Sequence, residues 1–91
     1  MRVRWTTTAA SDLAHIVDYI RKDNPPAARR VAQTIYQGIA RLRKFPGTER
    51  VGLAEDTREL VFSPLPYIAI YEIAGNQVQV PCIRHAAQDW P

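Results

Sequence analysis

The chain is poor in ligating and redox chemistry. It has one cysteine, Cys82, and two histidines, His15 and His85, in 91 residues. A lone cysteine closes no internal disulfide. Cys82 also continues a strand-like run with Val78 and Val80, so it reads as a core residue rather than a reactive thiol. Such cysteine usage points to the cytoplasm. Two histidines and a cysteine without ligand-like spacing argue against a metal centre, and no cofactor is expected. No apolar run reaches the roughly 18 residues that a membrane span needs. Met1-Arg2-Val3-Arg4-Trp5 leads into threonine and alanine, not into the apolar stretch of a signal peptide. There is no Gly-rich phosphate loop and no G-x-S-x-G elbow, and Ser11 and Ser63 lack any partnered motif for serine catalysis. Internal repeats, linkers and low-complexity segments are missing too, so residues 1–91 read as one domain.

What is present is a foldable core and an uneven charge. Apolar residues make up 46% of the chain, enough for a real core and too many for wholesale disorder. Net charge is +3. Residues 1–50 carry ten Lys/Arg against four Asp/Glu, whereas residues 51–91 carry two against five. The basic half suits an acidic protein or a polyanion, although solvated helix faces explain most of its arginines equally well.

Arg2–Trp5 reads as a short strand, and one of Thr6, Thr7 or Thr8 as the cap of a following helix. Leu13, Ile16, Val17 and Ile20 form an apolar stripe at helical spacing, with Asp12, Asp18 and Lys22 opposite. Asp23-Asn24-Pro25-Pro26 ends that helix and starts another, with Asn24 as cap and Pro25 at the first helical position. Ala28, Val31, Ala32, Ile35, Ile39 and Leu42 continue the pattern to Phe45-Pro46-Gly47, giving a helical hairpin. Residues 46–56 read as a loop. Three strands are expected after it, over 57–63, 67–73 and 77–84, with a hairpin turn at Ala74-Gly75-Asn76. Pro81 removes a ladder donor and marks an edge, a bulge or a departure from the sheet. The order β-α-α-β-β-β predicts a two-layer α+β domain, with the helical hairpin packed on a small antiparallel sheet. The middle strand is largely apolar on both faces, so one face is a candidate binding surface.

The densest chemistry lies at the end, in Ile83-Arg84-His85-Ala86-Ala87-Gln88-Asp89-Trp90. Metal-free RNA cleavage needs a base, an acid and cations on the phosphate, and Arg58, Arg84 and His85 are the residues that qualify. Trp90 or Tyr67 is suited to stacking a base. The same residues also have structural readings: Arg58 balancing Glu59, Arg84 pairing with Asp89, His85 capping the sheet end, and Trp90 folding over the core. The helix pair carries wide core stripes and no cluster for reading base edges, so DNA readout is weakly supported.

Five segments, taken in order, resemble the RelE/ParE superfamily of bacterial toxins. They are V-R-W-T-x-x-A-x-x-D-L from Val3, D-Y-I-R-K-D-N-P-P-A-A-R-R from Asp18, L-R-K-F-P from Leu42, R-E-L-V-F-S-P-L-P-Y-I-A-I-Y-E-I from Arg58, and I-R-H-A-A-Q-D-W from Ile83. The resemblance implies a growth-inhibiting toxin of a type II toxin-antitoxin system, of the kind linked to plasmid stabilisation. Its cognate acidic antitoxin would wrap it, and Arg29, Arg30, Leu60, Phe62, Tyr67, Ile68 and Tyr71 are the expected antitoxin-binding residues. Members that cleave mRNA on the ribosome generally carry an arginine after the aromatic that opens the middle strand, where this chain has Ile68. They also carry further basic residues before that strand, where only Arg58 stands here, and another arginine where this chain has Gln88. The pattern is therefore more similar to the ParE branch, whose members inhibit DNA gyrase by binding and are not nucleases. The resemblance then implies a target-binding surface of Arg58, Arg84, His85, Gln88, Asp89 and Trp90. Two alternatives are a RelE-like, ribosome-dependent mRNA interferase using Arg58, Arg84 and His85, and a degenerate toxin acting only with its antitoxin.

Overall fold

The computed structural model describes residues 1–47, 50–51 and 56–87. The elements are β1 (Arg2–Trp5), α1 (Thr7–Arg21), α2 (Pro25–Ala40), a 3-10 turn (Arg41–Arg43), β2 (Arg50–Val51), β3 (Thr57–Val61), β4 (Tyr67–Ala74) and β5 (Gln77–His85). The strands form one sheet in the order β1-β5-β4-β3-β2. This is the expected two-layer α+β domain with two amendments. The sheet is mixed rather than antiparallel, because β1 runs parallel to β5, with Val3 opposite Val78 and Trp5 opposite Val80. The helical hairpin forces this: it returns the chain to the far side of the sheet, and β5 then reaches β1 running in the same direction. The span read as a loop also contains β2, which pairs antiparallel with β3.

Local chemistry sets the helix boundaries. Thr6 leaves β1 with its N–H on the Val80 carbonyl oxygen at 3.2 Å. Its hydroxyl oxygen accepts the Ala9 N–H at 3.0 Å and donates toward the Val80 and Pro81 carbonyl oxygens at 3.1 and 2.8 Å. One side chain thus caps α1 and ties it to β5. Asn24 caps α2 by accepting the Ala27 N–H at 3.1 Å, and Pro25 takes the first position as expected.

The core lies between the layers. Val31, Ile35, Ile39 and Leu42 descend from α2 and the turn after it onto Leu60, Phe62, Tyr67, Ala69, Tyr71, Val78, Val80 and Ile83. Ile35 and Ile39 have no exposed surface, and burial of each stabilises the fold by about 2 kcal/mol. Tyr71 is also fully buried, and its hydroxyl donates to the Pro46 carbonyl oxygen at 2.7 Å. The β4–β5 hairpin turns through Gly75 and Asn76. Gly75 has a φ of +60° and Asn76 does not share a positive φ, the backbone of a type II′ turn that favours glycine first.

Pro81 resolves as a bulge inside the sheet. Ile70 pairs with Cys82 and Glu72 with Gln79, so one residue of β4, Tyr71, faces two of β5, Val80 and Pro81. The bulge shifts the alternation, and the inward residues of β5 are Val78, Val80 and Ile83. Cys82 is therefore not a core residue. It is half-buried on the sheet face away from the helices. Asp12 is a second correction. It does not stand opposite the packed face, because its Oδ2 accepts the Ile83 N–H at 2.9 Å. β1 ends opposite Val80, so beyond that point β5 has lost its strand partner on that side, and Thr6 and Asp12 supply hydrogen-bonding partners there.

Candidate functional site

Three regions carry the chemistry. At the end of β5, His85 stands edge-on to Tyr67, with ring centroids 5.6 Å apart and planes at 85°. The His85 Nδ1 accepts the Ala87 N–H at 3.1 Å, and the Ala86 N–H donates to the Pro66 carbonyl oxygen at 2.7 Å. The chain after β5 is thereby pinned to the turn before β4. His85 faces the helix layer and lines a cavity of about 410 Å³ with Asp12, His15 and Tyr19 of α1 and with Tyr67 and Ile83.

Arg84 and Arg58 do not join His85 there. Arg84 follows inward-facing Ile83 on the same strand, so it lies on the opposite sheet face, in a row with Ile68 and Val61. It lies near the Cys82 thiol, whose pKa is raised above the ordinary 9.0 chiefly by burial; Arg84 opposes that shift and Asp12 adds to it. Arg58 pairs with Tyr71, three residues along β3 from the Val61–Ile68 level, roughly 10 Å away at strand rise. It lines a separate cleft with Glu72 and Ile73 at the other end of the sheet. The three residues that a nuclease reading requires are thus divided between two faces and two ends of the sheet. Gln88, Asp89 and Trp90 lie outside the described residues.

Of the residues expected to meet an antitoxin, Leu60, Phe62, Tyr67 and Tyr71 are buried beneath the helices. Ile68 is half-buried on the outer sheet face, and Arg29 and Arg30 are exposed on α2.

The third region has no counterpart among the expected sites. Val3 and Trp5 of edge strand β1, Ala10 and Leu13 of α1, and Tyr36 and Ala40 of α2 line an apolar groove of about 430 Å³. Trp5 and Tyr36 stack across it at 6.1 Å, and Tyr36 remains 62% exposed. Arg43 closes one end. Arg29 is exposed seven residues before Tyr36, about two turns back along the same side of α2. The exposed Tyr36 beside a half-buried Trp5 is the signal of such a groove, and it is hidden in the sequence because Trp5 reads as a strand residue and Tyr36 as an off-stripe helix residue.

The model of the ParE toxin of the type II toxin-antitoxin system parDE matches residues 3–90. The chain belongs to the ParE toxin family. A Sinorhizobium fredii (strain NBRC 101917 / NGR234) protein described as a candidate toxin, Y4kP, is 41% identical over 90 residues, 99% of this chain and 93% of the relative. A solved structure of the chromosomal ParDE system from P. aeruginosa superposes with a TM-score of 0.86 at 26% identity, covering 93% of this chain and 95% of that one. The toxin-antitoxin complex RelBE2 from Mycobacterium tuberculosis shares the fold, with a TM-score of 0.58 at 22% identity over 96% of this chain and 92% of that one. As a ParE-family member, the chain is the toxin type of a type II toxin-antitoxin system. Among the described residues, no helix is long and apolar enough to cross a membrane, and no group of His, Cys, Asp and Glu is arranged to hold a metal ion.

Proposed function

We propose that this ParE-family toxin inhibits DNA gyrase by binding it, and that a cognate acidic antitoxin keeps it silent. The observation that carries the first part is the dispersal of Arg58, Arg84 and His85, together with Ile68 standing at the second position of β4. A metal-free nuclease places its cations around one phosphate, because transition-state charge is stabilised only by donors already aimed at it. Here one cation, Arg84, lies in the Val61–Ile68 row, and the imidazole faces the other way. A surface presented for binding suits this layout better than a catalytic cluster does. The end of β5 and the residues that follow it, His85 through Trp90, with Arg84 beside them, form the proposed gyrase-binding surface.

The antitoxin proposal rests on the apolar groove at Trp5 and Tyr36 with Arg43 at one end, and on the exposed Arg29 about two turns before Tyr36 on α2. An acidic segment with apolar side chains matches both its lining and its charge. On the outer sheet face Ile68 offers a further contact. Leu60, Phe62, Tyr67 and Tyr71 act through the fold that supports these surfaces.

The test is gyrase supercoiling with purified toxin, repeated with antitoxin added first. Loss of supercoiling that the antitoxin reverses is the expected result. Supercoiling unaffected by antitoxin-free toxin would overturn the gyrase reading. In cells, thymidine incorporation is expected to fall before amino-acid incorporation; the reverse order would move the target to the ribosome.

A further inference from the structure

The cavity between α1 and the ends of β4 and β5 gathers both histidines of the chain, two tyrosines and a carboxylate. We infer that it binds a guanidinium group, supplied by an arginine side chain on the toxin's protein target. The inference rests on the reading that the toxin acts by binding a protein, without requiring that the protein be gyrase.

Asp12, His15 and Tyr19 lie at helical spacings of three and four, so one side of α1 presents all three toward the cavity. Tyr67, Ile83 and His85 form the opposite wall. The single fixed formal charge in this lining is negative and belongs to Asp12. Its carboxylate is held in place by the Ile83 N–H at 2.9 Å. One amide N–H uses a small part of the acceptor capacity of two carboxylate oxygens, which leaves room for a forked donor. The His85 Nδ1 accepts the Ala87 N–H at 3.1 Å, which fixes the orientation of that ring at the cavity wall.

Aromatic rings line the same cavity as the carboxylate. Tyr67 and His85 are fixed at right angles, and Tyr19 stands 73% exposed at the rim. A carboxylate among ring faces selects a cation by charge and by the ring quadrupoles. A planar guanidinium satisfies both at once, since it forks onto the carboxylate and stacks on a ring, whereas an ammonium is a strongly hydrated point charge. A nucleotide would also meet the rings, but its phosphates would face Asp12. At about 410 Å³ the cavity is large enough for one such side chain and part of its backbone.

The experiment is an NMR titration of the full chain, labelled at histidine, with agmatine as the probe. Saturable shifts of the His15 and His85 signals are expected. Asp12→Asn keeps an oxygen for the Ile83 N–H and removes the charge, and it should weaken agmatine binding about tenfold. Tyr19→Ala changes an exposed ring with little bearing on folding and should weaken binding about threefold. Putrescine, which lacks the planar fork, should bind several-fold more weakly, and equal binding would overturn the guanidinium assignment. Shifts produced by AMP but not by agmatine would overturn it as well. An N-acetylated, C-amidated Gly-Arg-Gly peptide should match agmatine. Exclusion of that peptide while agmatine binds would overturn a protein side chain as the source. Gyrase is not in the tube, so failure here and failure of the gyrase reading are separate results.

Discussion

Gly38 of α2 faces the ring of Phe62 so closely that a Cβ built on it would lie 2.7 Å from Phe62 Cε1. Phe62 is buried in the core, and Leu60 stands 3.7 Å from the same position, so the ring has little room to retreat. The missing side chain is what lets α2 settle on β3.

Gly38→Ala therefore sets two effects against each other. Alanine favours the helix by about 1 kcal/mol, while overpacking a core contact costs about 1–3 kcal/mol. The clash should win, with a net loss of about 1 kcal/mol in urea unfolding. Phe62→Leu also destabilises, by opening space. The double variant should be more stable than the sum of the two losses predicts, because leucine vacates the place the new methyl needs. Simple additivity would show that the two residues do not meet.

Thr6 closes the seam between α1 and β5 from one end. Thr6→Ala removes the cap on Ala9 and the hydroxyl that reaches the Val80 and Pro81 carbonyl oxygens. A loss of about 1–2 kcal/mol in thermal or urea unfolding is expected. Thr6→Ser should recover most of it, since the oxygen remains. Equal losses for the two variants would mean that the methyl group, not the hydroxyl, holds the seam.

The helices were readable in the sequence because their signals are local. Asn24-Pro25 and the Val31, Ile35, Ile39 spacing mark α2 without reference to any other segment. The β5 pattern was not readable to its end. A strict period of two places Cys82 inward after Val78 and Val80, and only the pairing of β5 with β4 reveals the extra residue that turns Ile83 inward instead. The place of Asp12 is hidden in the sequence for a related reason. Its partner, Ile83, is 71 residues away, and the vacancy it fills arises only because β1 stops at Trp5. The dispersal of Arg58, Arg84 and His85 follows from the same strand parities, so sequence proximity of Arg84 to His85 was no guide to shared chemistry.

The position of Cys82 gives a pH prediction. Burial raises its pKa above the ordinary 9.0, with Arg84 pulling the other way. At a given pH the folded chain then holds less thiolate than the unfolded chain, so a thiol-specific reagent should label folded protein more slowly. Arg84→Gln removes the lowering influence and should slow labelling further. The sign for stability follows from linkage. The folded state binds this proton more tightly, so the contribution is full below the ordinary thiol value and declines as pH rises through it and toward the raised folded value. Faster labelling in Arg84→Gln would reverse the assigned role of that arginine.

The groove at Trp5 offers the most direct test of the antitoxin proposal. Tyr36 and Ala40 are exposed, so glutamate at either position should leave the fold intact. An acidic antitoxin segment would then meet like charge in place of apolar surface. Tyr36→Glu should weaken antitoxin binding at least about tenfold, since aromatic anchors carry a large share of interface energy. Arg43→Glu should act in the same direction and more strongly at low salt, where charge is less screened. Lys22→Glu, at the far end of α1, serves as the control for net charge and should change affinity little. In a Trp90→Phe background, Trp5 is the remaining tryptophan, and its emission should shift when the segment covers its stack with Tyr36. Tight binding by Tyr36→Glu with unmoved Trp5 emission would place the antitoxin elsewhere, leaving the Ile68 face of the sheet as the surface to examine.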